Sequence, residues 1–274
     1  YKGNTQNRLI RLNPDGSKDT SFDIGSGFSG TNRYINSIVS QPDGKILVGG
    51  SFINFNGNTH RAIIRLNSDG SKDTSFNISF LSTTEDIAIQ PDGKILVGLL
   101  TALNNYNYLI RLNTDGTIDT TFNLGVGFDG GVLAVAIQPD GKILVGGNFS
   151  SFNNQSVPVF ARLNSDGSKD NTFDTSNFYS ESPVGTIYIQ PDGKILIGGY
   201  DIFYNNQPVS GLIRLYSTND KDQDGKDDSI EDSAPNSGDA NQDGTLDALQ
   251  NNVTSYINPV TNQPMVIEVD SQCS

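Results

Sequence analysis

The sequence predicts an all-β fold, a β-propeller built from repeats of ~50 residues with three to four antiparallel strands each. Three observations carry that expectation. A ten-residue string recurs as QPDGKILVGG from Gln41, QPDGKILVGL from Gln90, QPDGKILVGG from Gln138 and QPDGKILIGG from Gln190, at spacings of 49, 48 and 52 residues. A second string interleaves with it: RLNPDGSKDTSF from Arg11, RLNSDGSKDTSF from Arg65, RLNTDGTIDTTF from Arg111 and RLNSDGSKDNTF from Arg162, with a decayed fifth copy, RLYSTND, from Arg214. Finally, 29 glycines and abundant Asn, Asp, Ser and Thr separate short apolar runs, the composition of strands joined by tight turns.

The elements of one unit follow in order. A short apolar run, such as Val132 to Ile137, reads as the first strand. Pro-Asp-Gly then turns the chain: proline sets φ, aspartate bonds the local backbone and glycine supplies a positive φ. Lys-Ile-Leu-Val-Gly-Gly is an uninterrupted apolar, β-branched run suited to a strand buried on both faces. A polar loop of variable length follows, as at 54–61 or 153–158, and then a third strand, 62–66 and its equivalents. The second Asp-Gly turn leads to Phe22, Phe76, Phe122 and Phe173, expected to anchor a short fourth strand in the core. An open solenoid of the same units is the structural rival. Four blades suffice to close a ring. The first seven residues match the loop after Gly-Gly, so a copy of the preceding hairpin is expected ahead of them, leaving a cut edge strand prone to self-association.

The alternating strings resemble the delta-60 repeat family of bacterial propeller-type repeats over residues 1–216. The resemblance implies a propeller in a large secreted or surface protein and no particular ligand.

Charge divides the chain. Residues 217–274 hold 12 acidic and 2 basic residues, whereas 1–216 hold 19 acidic and 16 basic. A nucleic-acid partner is disfavoured, because phosphate binding needs a basic surface. No apolar run approaches the ~20 residues of a membrane span. The opening YKGNTQNRLIRLN has no basic-then-apolar leader. The single cysteine, Cys273, excludes an internal disulfide and leaves a free thiol or a pairing with another chain.

The acidic excess is patterned for calcium. DKDQDGKDDSIE places Asp220, Asp222 and Asp224 at loop positions 1, 3 and 5, the Lys226 carbonyl at 7, Asp228 at 9 and Glu231 at 12, with Gly225 for the sharp turn. DANQDGTLDALQ repeats the pattern with Asp239, Asn241, Asp243, Thr245 and Asp247, but position 12 is the neutral Gln250, so this site is expected to be weaker. No amphipathic helix precedes Asp220, which argues against a paired helix-loop-helix sensor. The segment resembles thrombospondin type 3 repeats. Residues 251–274 are similar to the start of a choice-of-anchor-like β-rich domain of bacterial surface proteins, cut short. The implied organisation is a propeller over 1–216, a calcium-binding spacer over 217–250 and a truncated β-rich domain over 251–274. Crowded carboxylates repel one another without a cation, so structural Ca2+ would stiffen the spacer. Extracellular modules of this kind bind calcium at roughly 10⁻⁴–10⁻³ M, which suits the cell exterior.

Catalytic constellations are scarce. The repeated Asn-x-Asp-Gly turns, as at Asn13, Asp15 and Asp19, hold too few carboxylates for a metal, and nearly every aspartate falls on a repeated turn position. His60, the only histidine, sits in a variable loop and is expected to be solvated. With one His and one Cys, a His-based triad or a His/Cys zinc site is hard to build. Tyr34, Tyr106, Tyr108, Phe160, Tyr179, Tyr200 and Tyr204 lie in or near variable segments, where they line a contact surface or pack. The sequence therefore points to a non-enzymatic interaction or structural protein contacting an extracellular protein or glycan. A lectin-like propeller and a filament subunit are the alternatives.

Overall fold

The computed structural model describes residues 8–29, 34–78, 82–102, 108–173, 175, 177–180, 182–209, 211–215, 253–257 and 264–268. Among them there is no helix, so none is long and apolar enough to cross a membrane. Four three-stranded antiparallel sheets form the body of the molecule. Blade I comprises Ile35–Ser40, Ile46–Gly50 and Ile63–Leu66; blade II comprises Thr84–Ile89, Ile95–Leu99 and Leu109–Leu112. Blade III comprises Gly131–Ile137, Ile143–Asn148 and Phe160–Leu163; blade IV comprises Val184–Ile189, Ile195–Gly199 and Leu212–Leu215. In each blade the KILVG strand is central and pairs with both others, which accounts for its burial on two faces.

The repeat in sequence is a repeat in register. Ile46 faces Leu66, and the same pairing joins Ile95 to Leu112, Ile143 to Leu163 and Ile195 to Leu215. Each first strand carries a bulge at one place, between Ile35 and Ser37, Thr84 and Asp86, Val132 and Ala134, and Val184 and Thr186. Extra residues of this kind re-aim a strand and add twist. Successive first strands pack on one another, blade I on II, II on III and III on IV. This is the arrangement of blades about an axis.

Among the described residues the expected fourth strand does not form. After residues 9–12 and after the third strands of blades I, II and III the chain makes one isolated bridge, Leu12 to Lys18, Leu66 to Lys72, Leu112 to Ile118 and Leu163 to Lys169, and then leaves the sheet. The cause is local. Asp19, Asp73, Asp119 and Asp170 each accept from the backbone N–H and the hydroxyl two residues on, which curls the chain away from the ladder. Small peripheral ladders follow instead. They are Phe28–Ser29 with Asn54–Phe55 and Asn58–Thr59, Ser151–Phe152 with Gln155–Ser156, and Phe178–Ser180 with Ile202–Tyr204 and Gln207–Val209. Phe28, Phe52 and Phe55 form a ring cluster under the first of these, and Phe128, Phe149 and Phe152 its counterpart.

The core lies between blades. Leu47 and Ile63 of blade I pack with Ile87, Ile95 and Val97 of blade II. Leu96 and Leu109 meet Val132, Val135 and Ile143 of blade III, and Leu144 and Phe160 meet Val184, Ile195 and Ile197 of blade IV. A notch in each blade admits the next. A Cβ at Gly49 would lie 2.5 Å from Thr84 Cγ2 and 2.9 Å from Ile87 Cδ1; at Gly98 it would lie 2.9 Å from Val132 Cγ1, and Gly146 meets Val184 in the same way. Glycine is therefore required here by close approach rather than by its torsion freedom. Apart from the blades, Val253–Ile257 pairs antiparallel with Pro264–Glu268.

Candidate functional site

The most regular polar construction is a station that the four intact copies of the second motif build. Arg65 Nε donates to Asp73 Oδ2 at 2.7 Å, Lys45 Nζ donates to the same oxygen at 2.9 Å, and the guanidinium lies 4.6 Å over the Phe76 ring. Arg111, Asp119, Lys94 and Phe122 repeat it, as do Arg162, Asp170, Lys142 and Phe173. Arg11, Asp19 and Phe22 form the station without a lysine. The free Nη1 crosses to the next unit: Arg11 donates to Ser68 O at 2.7 Å, Arg65 to Thr114 O at 2.5 Å and Arg111 to Ser165 O at 2.7 Å. The Asp-Gly turn of one unit is thus bolted to the arginine of the unit before it.

Burial acts to raise the pKa of Asp73, Asp119 and Asp170. The serine or threonine hydroxyl two residues on, the lysine, the backbone N–H and the arginine outweigh it and hold all three carboxyls well below the usual range. They are permanent anions with every partner in place, suited to structure and not to proton transfer. The phenylalanines expected to anchor a fourth strand serve here as platforms for the guanidinium. The signal was available in the sequence, since Arg, Asp at the eighth residue beyond it and Phe at the eleventh recur four times.

Some carboxylates break the repeat, among them Glu85 and Asp86 of blade II and Asp129. Asp86 stands in a first strand where other units have Ser37, Ala134 and Thr186. Its Oδ1 accepts from Ser37 Oγ at 3.0 Å and from Ile87 N at 2.8 Å, and its Oδ2 accepts from Val135 N at 2.9 Å. Burial pushes its pKa up against these bonds. Both oxygens are occupied in stitching blades I, II and III together, a role that the repeat pattern did not show.

His60 is also placed differently from expectation. It is buried, with Nε2 2.8 Å from Ile63 O and Nδ1 3.3 Å from Lys72 Nζ. A carbonyl only accepts, so Nε2 carries the proton and Nδ1 receives the ammonium N–H. Burial and then the Lys72 charge lower its pKa. The Asn-x-Asp-Gly turns are plain turns, with Asp15, Asp69, Asp115 and Asp166 each accepting from the backbone and hydroxyl two residues on.

The concave feature is axial. The Gln-Pro ends of all four first strands, Gln41, Gln90, Gln138 and Gln190 with the prolines that follow them, converge on one cavity of about 1010 Å³. Val39, Ile89, Ile137 and Ile189 supply its apolar wall, and Asp43 and Arg65 also reach it. Arg111 and Arg162 donate to the amide oxygens of Gln90 and Gln138 at 3.4 Å. The equivalent oxygens of Gln41 and Gln190 are buried and have no partner among the described residues. The tyrosines of the variable segments are elsewhere. Tyr34, Tyr179, Tyr200 and Tyr204 are exposed, Phe160 is core, Tyr108 packs beside the blade III cluster, and Tyr106 lies outside the described residues.

The calcium-loop positions Asp220, Asp222, Asp224, Lys226, Asp228, Glu231, Asp239, Asn241, Asp243, Thr245, Asp247 and Gln250 all lie outside the described residues, as does Cys273. Among the described residues no cluster of three or more His, Cys, Asp or Glu side chains is placed to hold a metal.

The sequence matches a family described as a domain of unknown function (DUF5122) beta-propeller over residues 1–22, 41–76, 90–122, 138–173 and 190–218, more than half of the chain. No curated protein matches. Among solved structures, a protein of unknown function from Bacteroides caccae is 15% identical with a TM-score of 0.41, over 75% of this chain and 74% of that one. A protein proposed to be a gluconolactonase is 17% identical with a TM-score of 0.43, over 74% and 69%. The extracellular domain of a proposed hybrid two-component system from B. thetaiotaomicron is 14% identical with a TM-score of 0.36, over 74% of this chain and 32% of that one.

Proposed function

The chain belongs to the DUF5122 β-propeller family, and from that premise we propose that it is a non-enzymatic interaction module of the cell exterior. Its propeller contacts a protein or glycan at the axial mouth, and its acidic 217–250 segment is a calcium-stiffened spacer. The axial cavity is the observation that carries the reading. Its volume is that of a ligand site, its wall is proline, valine and isoleucine, and its polar groups are mainly neutral amides, two of them with unpartnered oxygens. The repeat's acids and arginines are spent on turns and stations, so the mouth offers recognition and no paired, titrating carboxylates. The side chains of Gln41, Gln90, Gln138 and Gln190 line this mouth, and neutral amides suit the hydroxyl and amide groups of a sugar or peptide.

The test is a glycan array and a peptide panel probed with the intact chain and with the Gln41→Ala/Gln190→Ala double variant. A ligand bound by the parent and lost in the variant, at an unchanged thermal midpoint, supports the reading. Turnover of the ligand, or binding indifferent to the double substitution, overturns it.

A further inference from the structure

Of the three peripheral ladders outside the blades, one differs from the others along a single row of side chains. In the ladder of Phe178–Ser180, Ile202–Tyr204 and Gln207–Val209, Tyr179 pairs with Phe203 and Phe203 with Pro208, so the three stand side by side across three strands. Side chains alternate between the two faces of a ladder. Phe178, Ser180 and Ile202 turn inward and are buried. The row therefore lies on the outer face, with Tyr179 53% exposed, Pro208 exposed and Phe203 half-buried between them. The rings of Tyr179 and Phe203 lie 5.7 Å apart at 47° to each other.

The same row is polar in the other two ladders. It reads Ser29, Asn54 and Thr59 in the first, and Asp129, Ser151 and Ser156 in the second. Ser29, Thr59, Asp129 and Ser156 are exposed, and Asn54 and Ser151 are half-buried like Phe203. All three ladders thus turn this row to solvent, and what changes is its chemistry. A repeat keeps the residues its scaffold needs, and rings at solvent-facing positions serve no packing. Contiguous exposed apolar side chains with a polar rim mark a contact surface. The rim here is Asn177, Asp201 and Asn205, each two residues along the chain from Tyr179 or Phe203 and each exposed.

We propose that this row is a stacking platform for a neutral oligosaccharide of equatorially linked pyranose rings. Size and charge select that occupant. The exposed parts of three side chains fall far below the ~800 Å² per partner that a stable protein interface covers. The row and its rim hold no cation for a phosphate or carboxylate. A pyranose ring presents weakly positive axial C–H groups on a flat face, and these suit the negative face of an aromatic ring. Its hydroxyls can donate to Asp201 and exchange hydrogen bonds with the amides of Asn177 and Asn205. Neighbouring strands lie about 4.8 Å apart, so the row spans roughly 10 Å, the reach of two linked pyranose rings in an extended chain. The platform is separate from the axial mouth, whose lining includes none of these residues.

The probe is cellohexaose, titrated into the full chain by calorimetry beside maltohexaose, whose axial linkages curl it away from a flat row. Tyr179→Ser and Phe203→Asn install the side chains that the first ladder carries at these positions, so the fold should tolerate them, and Phe203→Tyr keeps the ring. The expected result is saturable binding of cellohexaose and weaker binding of maltohexaose. Tyr179→Ser and Phe203→Asn should each weaken cellohexaose binding roughly tenfold, the loss of one stacking contact, at an unchanged thermal midpoint. Phe203→Tyr and Gln41→Ala/Gln190→Ala should leave it intact. No saturation at millimolar cellohexaose overturns the platform, as does binding that Tyr179→Ser leaves unchanged or that Phe203→Tyr removes. Binding lost only in Gln41→Ala/Gln190→Ala would seat the sugar at the axial mouth, upholding that reading and overturning this one. A dimer that Tyr179→Ser dissociates in sedimentation would give the row to a second copy and overturn it as well.

Discussion

Arg65, Arg111 and Arg162 are buried cations whose charge is answered within their own unit, and that closeness makes each station fragile. Removing one partner from a buried pair leaves the other uncompensated in a poor dielectric, at about 3–5 kcal/mol. Asp119→Ala should therefore lower stability by that amount in chemical denaturation, because Arg111 and Lys94 both converge on Asp119 Oδ2. Asp19→Ala should change little, since Arg11 is solvent-accessible and no lysine joins it. Equal losses at the two sites would mean that the station matters for turn geometry and not for charge. Thr84 gives the opposite sign. It is fully buried at the notch of Gly49, its hydroxyl has no partner among the described residues, and the same position holds Val132 and Val184 in later units. Thr84→Val should stabilise by about 1 kcal/mol, the desolvation cost of an unmade hydrogen bond. A loss would show that the hydroxyl is bonded in solution. His60 makes a pH signature. Its folded pKa lies below the unfolded 6.5, so the unfolded chain takes up the proton first. Its contribution is complete above pH 6.5 and declines as pH falls from there through the folded pKa. His60→Gln, whose amide can still donate to Ile63 O, should flatten the decline of stability below pH 6.5 in urea titrations.

At the scale of strands and blades, glycine at the notch is a steric requirement, and Gly146 isolates it because its backbone is ordinary and a Cβ there would strike Val184. Gly146→Ala should cost about 1–3 kcal/mol, the range of overpacked cores, and should loosen blade IV from blade III in hydrogen exchange. Protection lost evenly over all four blades would contradict a local role. This is also where sequence and structure are most closely matched. Each KILVG run is a central strand because it is apolar at every position, a pattern a strand shows only when covered on both faces. Both motifs appear where the alternation of apolar runs and turns places them. What stayed hidden were relations between units. The crossing from Arg65 to Thr114 O spans 49 residues, and no local pattern specifies which carbonyl an arginine will reach. Asp86 joins three first strands, and only their juxtaposition makes a lone strand carboxylate useful. The fourth strand failed because a side-chain bond from Asp to the backbone two residues on outcompeted the ladder, a contest that apolar periodicity does not register. His60 was misread as solvated because loop polarity says nothing about whether Lys72 folds over it. The axial cavity, in turn, collects residues from four distant turns, and repetition of Gln-Pro was its one trace in the sequence.

On the scale of the whole molecule, charge is distributed unevenly along the chain. The blades are nearly neutral and hold their carboxylates in bonded stations, whereas residues 217–274 carry 12 acids and 2 bases. On the proposed reading calcium acts through the 220–250 loops, and the blades should be indifferent to it. Two measurements on one sample separate these roles. Calorimetric titration should show two sites in the range of roughly 10⁻⁴–10⁻³ M, the one with Glu231 the tighter, and Asp222→Ala/Asp224→Ala should abolish one of them. Thermal unfolding of the blades should then be the same in calcium and in chelator. Binding to the propeller would raise that midpoint by mass action, since a ligand held by the native state alone stabilises it. A calcium-dependent shift of the blade transition that survives the double substitution would place the ion in the propeller. Absence of binding at millimolar calcium would leave the acidic stretch as a linker whose like charges extend it without a cation.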